Sequence, residues 1–263
     1  MTYLQAFIIA VIEGLTEFLP VSSTGHMILA DSLMKIENKE FAKTFEIVIQ
    51  LGAILAVLFL YIKRFFVSLD IYFKLLVAFL PTGIIGILAY KTIKLYLFNP
   101  YTVSISLIAG GVVLILLDGW SAKKTSSVRN IEDISYAGAI KIGLIQCISM
   151  IPGVSRAAAT IFGGVFAGFD RKQAAEFSFL LAIPTMFAAS GYDLLKEKDS
   201  IHSEDISLLL FGGGVAFLVA LAAVKAFIAY LNKFGFKQFG YYRIVLGLVF
   251  LAYALATGMQ LNA

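Results

Sequence analysis

The sequence predicts an all-α, polytopic membrane protein, and three observations support that prediction. Of the 263 residues, 60% are hydrophobic and only 14% are charged, and the mean hydropathy is +0.89, which is too apolar for a soluble globular domain. Apolar runs of the length that crosses a bilayer, about 20 residues, recur from end to end. Two further apolar stretches are each interrupted by a proline that polar residues follow.

About six uninterrupted runs predict transmembrane helices, at 44–62, 73–93, 101–118, 174–195, 206–231 and 241–258. The interrupted stretches, 3–30 and 138–169, predict re-entrant helical hairpins. Proline removes a helical hydrogen bond, and non-helical backbone survives at membrane depth only inside protein or beside a cavity. We expect a single integral membrane domain over 1–263. No basic residue precedes the first apolar run, so no cleaved signal peptide is expected.

The two interruptions divide the chain into two halves that look related. Pro20 and Pro152 lie half a chain length apart, and the same shift aligns a serine and a phenylalanine of each half. Matching broken helices in two halves indicate a site at the interface between repeats. We predict inverted-topology repeats, the first over approximately 1–131 and the second over approximately 132–263.

The loop charges predict how the chain is oriented in the membrane. Lysine and arginine concentrate in 63–74, 119–137 and 232–239, which the positive-inside rule assigns to the cytoplasm. The loops at 91–100 and 196–205 are poorer in positive charge or balanced by acids, so we expect them outside. The tips of the two hairpins would then meet near the middle of the membrane.

Other features are interpreted as structural. Arg243, just inside the last span, is expected to snorkel to the cytoplasmic interface. The glycine groups 110–111, 163–164 and 212–214 are expected to permit close helix packing. The net charge of +4 includes no basic run interleaved with aromatics, so no nucleic-acid partner is expected.

Glu13 and Glu17 are spaced by one helical turn, so both carboxylates lie on one helix face. Two close carboxylates stay ionised only beside a cation. The pair therefore indicates a divalent-metal site or a general acid–base pair, and the structural alternative is a polar pair that faces a water-filled gap. Glu46 and Gln50 share a helix face in the same way and are expected to line the same cavity.

Polar residues follow the first proline directly, at Ser22, Ser23, Thr24 and His26. Hydroxyls and free amides at the start of a helix form an anion site, and a serine near a histidine and a glutamate is a nucleophile arrangement. The alternatives are a helix cap, for which serine and threonine are preferred, and a structural histidine.

The second proline is followed by Gly153, which allows a close backbone turn, and by Ser155 and Arg156. The planar guanidinium of Arg156 suits phosphate oxygens, and Thr160 lies one turn further along. An arginine in an apolar stretch needs a partner. That partner is either a glutamate of the first motif, in a structural salt bridge, or a phosphate.

Together these motifs resemble the undecaprenyl-diphosphate phosphatase family, the bacitracin-resistance type. The family's first motif, paired glutamates before Phe-Leu-Pro-Val-Ser-Ser-Thr-Gly-His, is complete at 13–26, and its Pro-Gly-x-Ser-Arg-Ser-x-x-Thr motif is found at 152–160. The resemblance covers almost the whole chain. One departure is Ala157, where the family usually has serine, so a hydroxyl at that position is not required if this chain is active.

The resemblance implies an enzyme of the bacterial cytoplasmic (inner) membrane, with its active site open to the outer face. It would convert undecaprenyl diphosphate to undecaprenyl phosphate and inorganic phosphate, which recycles the lipid carrier for cell-wall synthesis and confers bacitracin resistance. A divalent cation, Mg²⁺ or Ca²⁺, is implied as cofactor. The implied partners are the polyprenyl diphosphate lipid and the bilayer, and the sequence leaves a homodimer open.

The resemblance also implies a role for each motif residue. Ser23 is the candidate nucleophile, His26 the base or the acid for the leaving group, and Arg156 the group that binds phosphate and stabilises transition-state charge. Glu13 and Glu17 would hold the cation, and Glu17 also counts among the catalytic residues. The phosphates would be bound by Ser22, Thr24, Gly153, Ser155 and Thr160. A phosphohistidine, or attack by metal-bound water, fits the same residues.

A second function class has to be weighed. Inverted halves with broken helices are typical of secondary transporters, and the same cavity would suit a lipid flippase or an anion transporter. A hydroxyl, an imidazole, a guanidinium and paired carboxylates together favour hydrolysis, because a transporter has less use for the serine and histidine.

Overall fold

The computed structural model describes residues 1–36, 39–66, 68–122, 126–197 and 205–258, and this part of the chain contains helices and turns but no β-strand. The prediction of an all-α protein is therefore confirmed. The α-helices are α1 (Tyr3–Thr16), α2 (Ser23–Met34), α3 (Lys39–Tyr61), α4 (Asp70–Leu97), α5 (Pro100–Ser121), α6 (Tyr136–Gln146), α7 (Arg156–Phe166), α8 (Arg171–Glu197), α9 (Ile206–Phe234) and α10 (Lys237–Thr257).

Six helices of the described chain, α3, α4, α5, α8, α9 and α10, are long and apolar enough to cross a membrane. Their outer faces carry large apolar side chains, such as Ile87 (83% exposed) and Leu88 (79% exposed) on α4. Contiguous exposed apolar surface of this kind is rare on soluble monomers and suits contact with lipid. The predicted multi-pass membrane protein is thus confirmed.

The remaining four helices form two interrupted pairs, as expected for the re-entrant stretches. Helices α1 and α2 flank the non-helical segment that contains Pro20, and α6 and α7 flank the segment that contains Pro152. Each helix has between 11 and 14 residues. At 1.5 Å per residue, no helix of this length spans a hydrocarbon core of about 30 Å.

The interrupted helices pack reciprocally across the molecule. Helix α1 packs against α9, and α6 packs against α4. Both contacts are close: a Cβ at Gly14 would lie 2.8 Å from the carbonyl oxygen of Ala216, and one at Gly143 would overlap the carbonyl of Ala78. Each broken helix thus packs on a spanning helix of the other half of the chain, which is the arrangement that two related halves would produce. The repeat boundaries and the inverted orientation stay predictions.

Three of the charged segments assigned to the cytoplasm converge at one end of the molecule. Arg64 of the first segment donates to Glu132 of the second at 3.2 Å. Asp118, which adjoins the second segment, accepts from the amide of Phe236 in the third at 2.8 Å. Their convergence fits a shared side of the membrane, although the orientation itself stays a prediction. Some of the loop charges behind this prediction lie outside the described residues: Lys123, Lys124 and those of 198–204.

The expectation for Arg243 is wrong. Its side chain is 0% exposed, and the guanidinium points into the protein, toward α5, instead of the cytoplasmic interface. The absence of a side chain at Gly110 leaves room for the guanidinium, because a Cβ at that position would overlap it. Gly212 follows the packing prediction, since a Cβ there would overlap the ring of Phe45, whereas Gly214 has open space.

Candidate active site

The two interruptions bring their polar residues together inside the protein. Ser155, the N-cap of α7, donates through its hydroxyl to the carbonyl oxygen of Leu19 at 3.4 Å. One residue further along, Arg156 donates to the carboxylate of Glu17 at 3.3 Å. The predicted meeting of the two motifs is therefore present in the structure, with the acid contributed by one hairpin and the arginine by the other.

Glu17 links a serine to the arginine. The hydroxyl of Ser23 donates to Oε2 of Glu17 at 2.5 Å, while Oε1 of Glu17 accepts from Nη2 of Arg156 at 3.3 Å. The carboxylate is buried, so the guanidinium offsets its desolvation. A carboxylate in this position can accept the proton of Ser23 as its oxygen attacks an electrophile.

Arg156 is positioned by the neighbouring helix α8. Nη1 donates to the carbonyl oxygen of Ser178 at 3.2 Å, and the guanidinium lies 5.7 Å from the centre of the Phe18 ring. Its Nε has no hydrogen-bond partner among the described residues. Both Nη atoms are thus held by protein groups, and Nε is the donor left uncommitted.

Ser22 occupies an unusual conformation between the proline and the new helix. Its φ of 71° and ψ of 91° are rare for a non-glycine residue and store strain of the kind found at active sites. The hydroxyl caps α2 by accepting from the amide of Gly25 at 3.4 Å. The capping alternative therefore applies to Ser22, while the next residue, Ser23, is free to bond Glu17.

His26 does not contact Ser23 through a hydrogen bond. Its Nδ1 donates to the carbonyl oxygen of Ser22 at 2.8 Å, so Nε2 of the neutral ring accepts from the hydroxyl of Tyr242 at 2.6 Å. The two rings stack, with centroids 5.6 Å apart. The geometry gives Glu17 the position of a base toward Ser23, and the catalytic role of His26 stays a prediction.

Two cavities meet at Ser23. The smaller, of about 170 Å³, is lined by Glu17, Arg156 and a set of hydroxyl groups that includes Ser22 and Ser155. The larger, of about 310 Å³, is lined by Glu13, Glu46 and residues near the ends of α4 and α8. Both cavities are lined by Ser23, Thr24 and Gln50.

Glu13 and Glu17 are in different environments although they share a helix face. Glu13 is 4% exposed, and its Oε1 has no hydrogen-bond partner among the described residues. It lines the larger cavity with Glu46, whose carboxyl group lies at hydrogen-bonding distance from that of Asp31. The larger cavity therefore contains one buried carboxylate oxygen, Oε1 of Glu13, that is not committed to a protein donor.

Two predicted phosphate ligands lie away from the cavities. Thr160 is fully buried; its hydroxyl is bonded to that of Ser178 at 2.6 Å and donates to the carbonyl of Arg156 at 2.9 Å. It thereby helps to hold Ser178 of α8, whose carbonyl oxygen accepts a hydrogen bond from Arg156. Gly153 has a φ of +90°, and a Cβ there would lie 2.5 Å from the carbonyl oxygen of Val103, so its role in the structure is close packing on α5.

Several residues of the site were absent from the sequence-based set. Tyr242, on a helix far along the chain, contacts His26, and Ser178, on the helix that follows α7, contacts Thr160. Asp31 is an acid that directly follows the apolar run 27–30 of α2, a signal that sequence reasoning could have used.

Comparison with known proteins identifies the family. The family model described as bacitracin resistance protein BacA matches residues 6–249. A protein of Flavobacterium psychrophilum named undecaprenyl-diphosphatase is 54% identical over 254 residues, 95% of each chain. Proteins of the same name from Bdellovibrio bacteriovorus (52% identical, covering 100% of this chain and 99% of the relative) and Aquifex aeolicus (46%, 97% and 100%) are also similar. With two motifs joined in one site and this similarity over its full length, the chain belongs to the bacitracin resistance protein BacA family.

Proposed function

We propose that this protein is a membrane phosphatase that hydrolyses undecaprenyl diphosphate to undecaprenyl phosphate and inorganic phosphate. The relatives carry the name of this activity. A cavity within the membrane suits such a substrate, because the long apolar tail can stay in lipid while the charged head meets fixed polar groups. The names of the relatives favour this function over the transporter alternative.

The observation that supports hydrolysis most strongly is the hydrogen-bonded chain from Ser23 through Glu17 to Arg156. The Ser23 oxygen attacks the terminal phosphorus and gives its proton to Glu17, and the bond from that phosphorus to the bridging oxygen breaks. Undecaprenyl phosphate leaves with the bridging oxygen. Water then attacks the phosphorus of the phosphoserine, the bond to the Ser23 oxygen breaks, and Glu17 returns its proton to that oxygen as inorganic phosphate is released.

Phosphate binding falls to the groups around the smaller cavity. Arg156 is the cation that meets the developing charge on the equatorial oxygens, which is the main requirement of phosphoryl transfer. Thr24 and Ser155 line the cavity; Thr24 offers its hydroxyl to the same oxygens, and Ser155 does so once its hydroxyl turns from the carbonyl of Leu19. His26 and Thr160 are bonded to other protein groups and help to position the phosphate-binding residues: His26 bonds to Ser22, and Thr160 bonds to Arg156.

The residues present fit a hard divalent cation. Glu13 offers a buried, uncommitted oxygen to the larger cavity, and oxygen ligands are those that Mg²⁺ and Ca²⁺ prefer. Glu17 is expected to be the second ligand, although both of its oxygens already accept hydrogen bonds. The described residues include no group of three or more His, Cys, Asp or Glu side chains fit for a metal, so water and substrate would complete the coordination. Bound there, the cation would neutralise phosphate charge.

We place the protein in the bacterial cytoplasmic membrane, with the larger cavity open to the outer face. Phe98 and Lys196 line that cavity, and they lie at the loops assigned to the outside by charge. The sequence leaves a homodimer open.

Phosphate release from undecaprenyl diphosphate by the purified protein in detergent tests the proposed function. We expect release with Mg²⁺, its loss with EDTA, and its loss in Arg156→Ala that still folds in detergent, although its melting temperature should fall because buried Glu17 loses its partner. Absence of release from a folded preparation at every metal concentration would contradict the proposal and would direct attention to transport.

A further inference from the structure

Arg243 is a buried cation that neither cavity uses. It is 0% exposed, in the middle of the packed pair α5 and α10. Among the described residues, its guanidinium forms no ion pair with a carboxylate. A permanent charge at membrane depth is costly and marks a functional group by default.

The guanidinium is satisfied by four backbone carbonyl oxygens, two of which belong to the two interrupted segments. Nη1 donates to Pro20 at 3.2 Å, and Nη2 donates to Gly153 at 3.0 Å. The other two acceptors are on α5, at Ser106 (3.1 Å) and Leu107 (3.4 Å). One side chain thus joins both hairpin tips to a spanning helix.

The chemistry of these tips explains why an arginine is needed. The carbonyl groups of an interrupted helix have lost their helical partners, and water is scarce at membrane depth to replace them. Arginine offers five N–H donors in a fixed plane, so it can bind acceptors from several segments at once. A lysine has one nitrogen and no such fork.

The tips joined by Arg243 carry the reacting groups. Pro20 lies three residues before Ser23, and Gly153 lies three residues before Arg156. The distance between the two tips therefore determines how the nucleophile meets the phosphate-binding guanidinium. We propose that Arg243 is a positioning residue, which fixes the two tips relative to each other without touching the substrate. The kinetic part of this inference rests on the proposed function.

Three variants separate this role from general stability. Arg243→Lys keeps the charge but loses the fork. Gly110→Ala keeps Arg243 but places a methyl group where the guanidinium lies. Gly119→Ala is the matched control, because it is on the same helix and a Cβ there meets nothing within 4 Å.

Two measurements are made on each variant: steady-state kinetics of phosphate release, and amide hydrogen exchange followed by mass spectrometry. We expect Arg243→Lys and Gly110→Ala to lower kcat by about a hundredfold, as for reacting groups misplaced by about 1 Å, with a much smaller change in KM. The amides of Val21 and Val154, which are bonded within the tips, should exchange faster in both variants. Gly119→Ala should behave as the unmodified protein.

The inference is overturned if both variants lose thermal stability while kcat and tip exchange stay unchanged, since Arg243 would then only hold α5 to α10. Faster exchange confined to those helices would overturn it as well. If the unmodified protein releases no phosphate, the proposed function fails, and the exchange of the two tips still tests the connection that Arg243 makes. If Arg243→Lys does not fold, Gly110→Ala provides the same test with the arginine in place.

Discussion

Ser22 and Ser23 are neighbours in sequence but differ in what their hydroxyls do. The strained backbone of Ser22 points its hydroxyl at the amide of Gly25, whereas the hydroxyl of Ser23 reaches Glu17 at the junction of two cavities. Two serines in a row would be indistinguishable by composition alone. The interruption after Pro20 separates them into a cap and a candidate nucleophile.

The two glutamates should respond differently to the same substitution. Glu17→Gln removes the carboxylate that accepts the proton of Ser23, so we expect kcat to fall by about 10²–10⁴-fold, the range for general-base catalysis. Glu13→Gln leaves that hydrogen bond intact, so it should raise the Mg²⁺ concentration needed for half-maximal activity with a much smaller loss of kcat at saturating metal. Metal titrations of phosphate release check both, and an equal metal shift with unchanged kcat in both variants would contradict the division.

His26 should matter less for the chemistry than Glu17. Both of its ring nitrogens already have partners in Ser22 and Tyr242, so replacement should disturb the start of α2 more than proton transfer. We expect His26→Gln to keep at least about tenfold more kcat than Glu17→Gln, within the range by which general-base catalysis contributes. Measuring both variants side by side decides this. The reverse order of activities would restore His26 as the base.

At the scale of elements, the contact between α7 and α8 holds Arg156 in place. Thr160→Val keeps the shape of the side chain but leaves the buried hydroxyl of Ser178 without this partner. Loss of a buried hydrogen bond of this kind costs about 1–3 kcal/mol, so the melting temperature in detergent should fall. Thr257→Val, where the hydroxyl bonds only its own helix at an exposed position, is the control and should change little.

Sequence patterns could predict the elements and the local part of the site, and packing decided the rest. Apolar runs predict the six spans, and prolines within two of the apolar stretches predict the interruptions. Glu17, Ser23 and Arg156 lie in short motifs that can be read from the sequence. The prediction that Arg243 snorkels is wrong: an arginine near the end of a span usually reaches the interface, whereas this one is buried. Its four acceptors, like the contact of Tyr242 with His26, depend on how α10 packs against segments far away in sequence.

At the scale of the whole molecule, the orientation in the membrane can be tested by labelling. After replacement of Cys147 by serine, single cysteines are introduced by Tyr96→Cys, near the loop assigned to the outside, and by Ser127→Cys, in the loop assigned to the cytoplasm. Both positions are exposed. A membrane-impermeant maleimide applied to intact cells should label the first and spare the second, and the opposite pattern would reverse the predicted topology.

The proposed hydrolysis depends on attack by Ser23, which is hydrogen-bonded to Glu17, on a phosphate that Arg156 binds. The most direct measurement is the kcat of phosphate release from undecaprenyl diphosphate by Ser23→Ala, with Ser22→Ala as the adjacent control. We predict that Ser23→Ala loses nearly all activity at an unchanged melting temperature, while Ser22→Ala keeps a measurable part of it. Activity in folded Ser23→Ala equal to or above that of Ser22→Ala would contradict the account and leave His26 or water as the nucleophile.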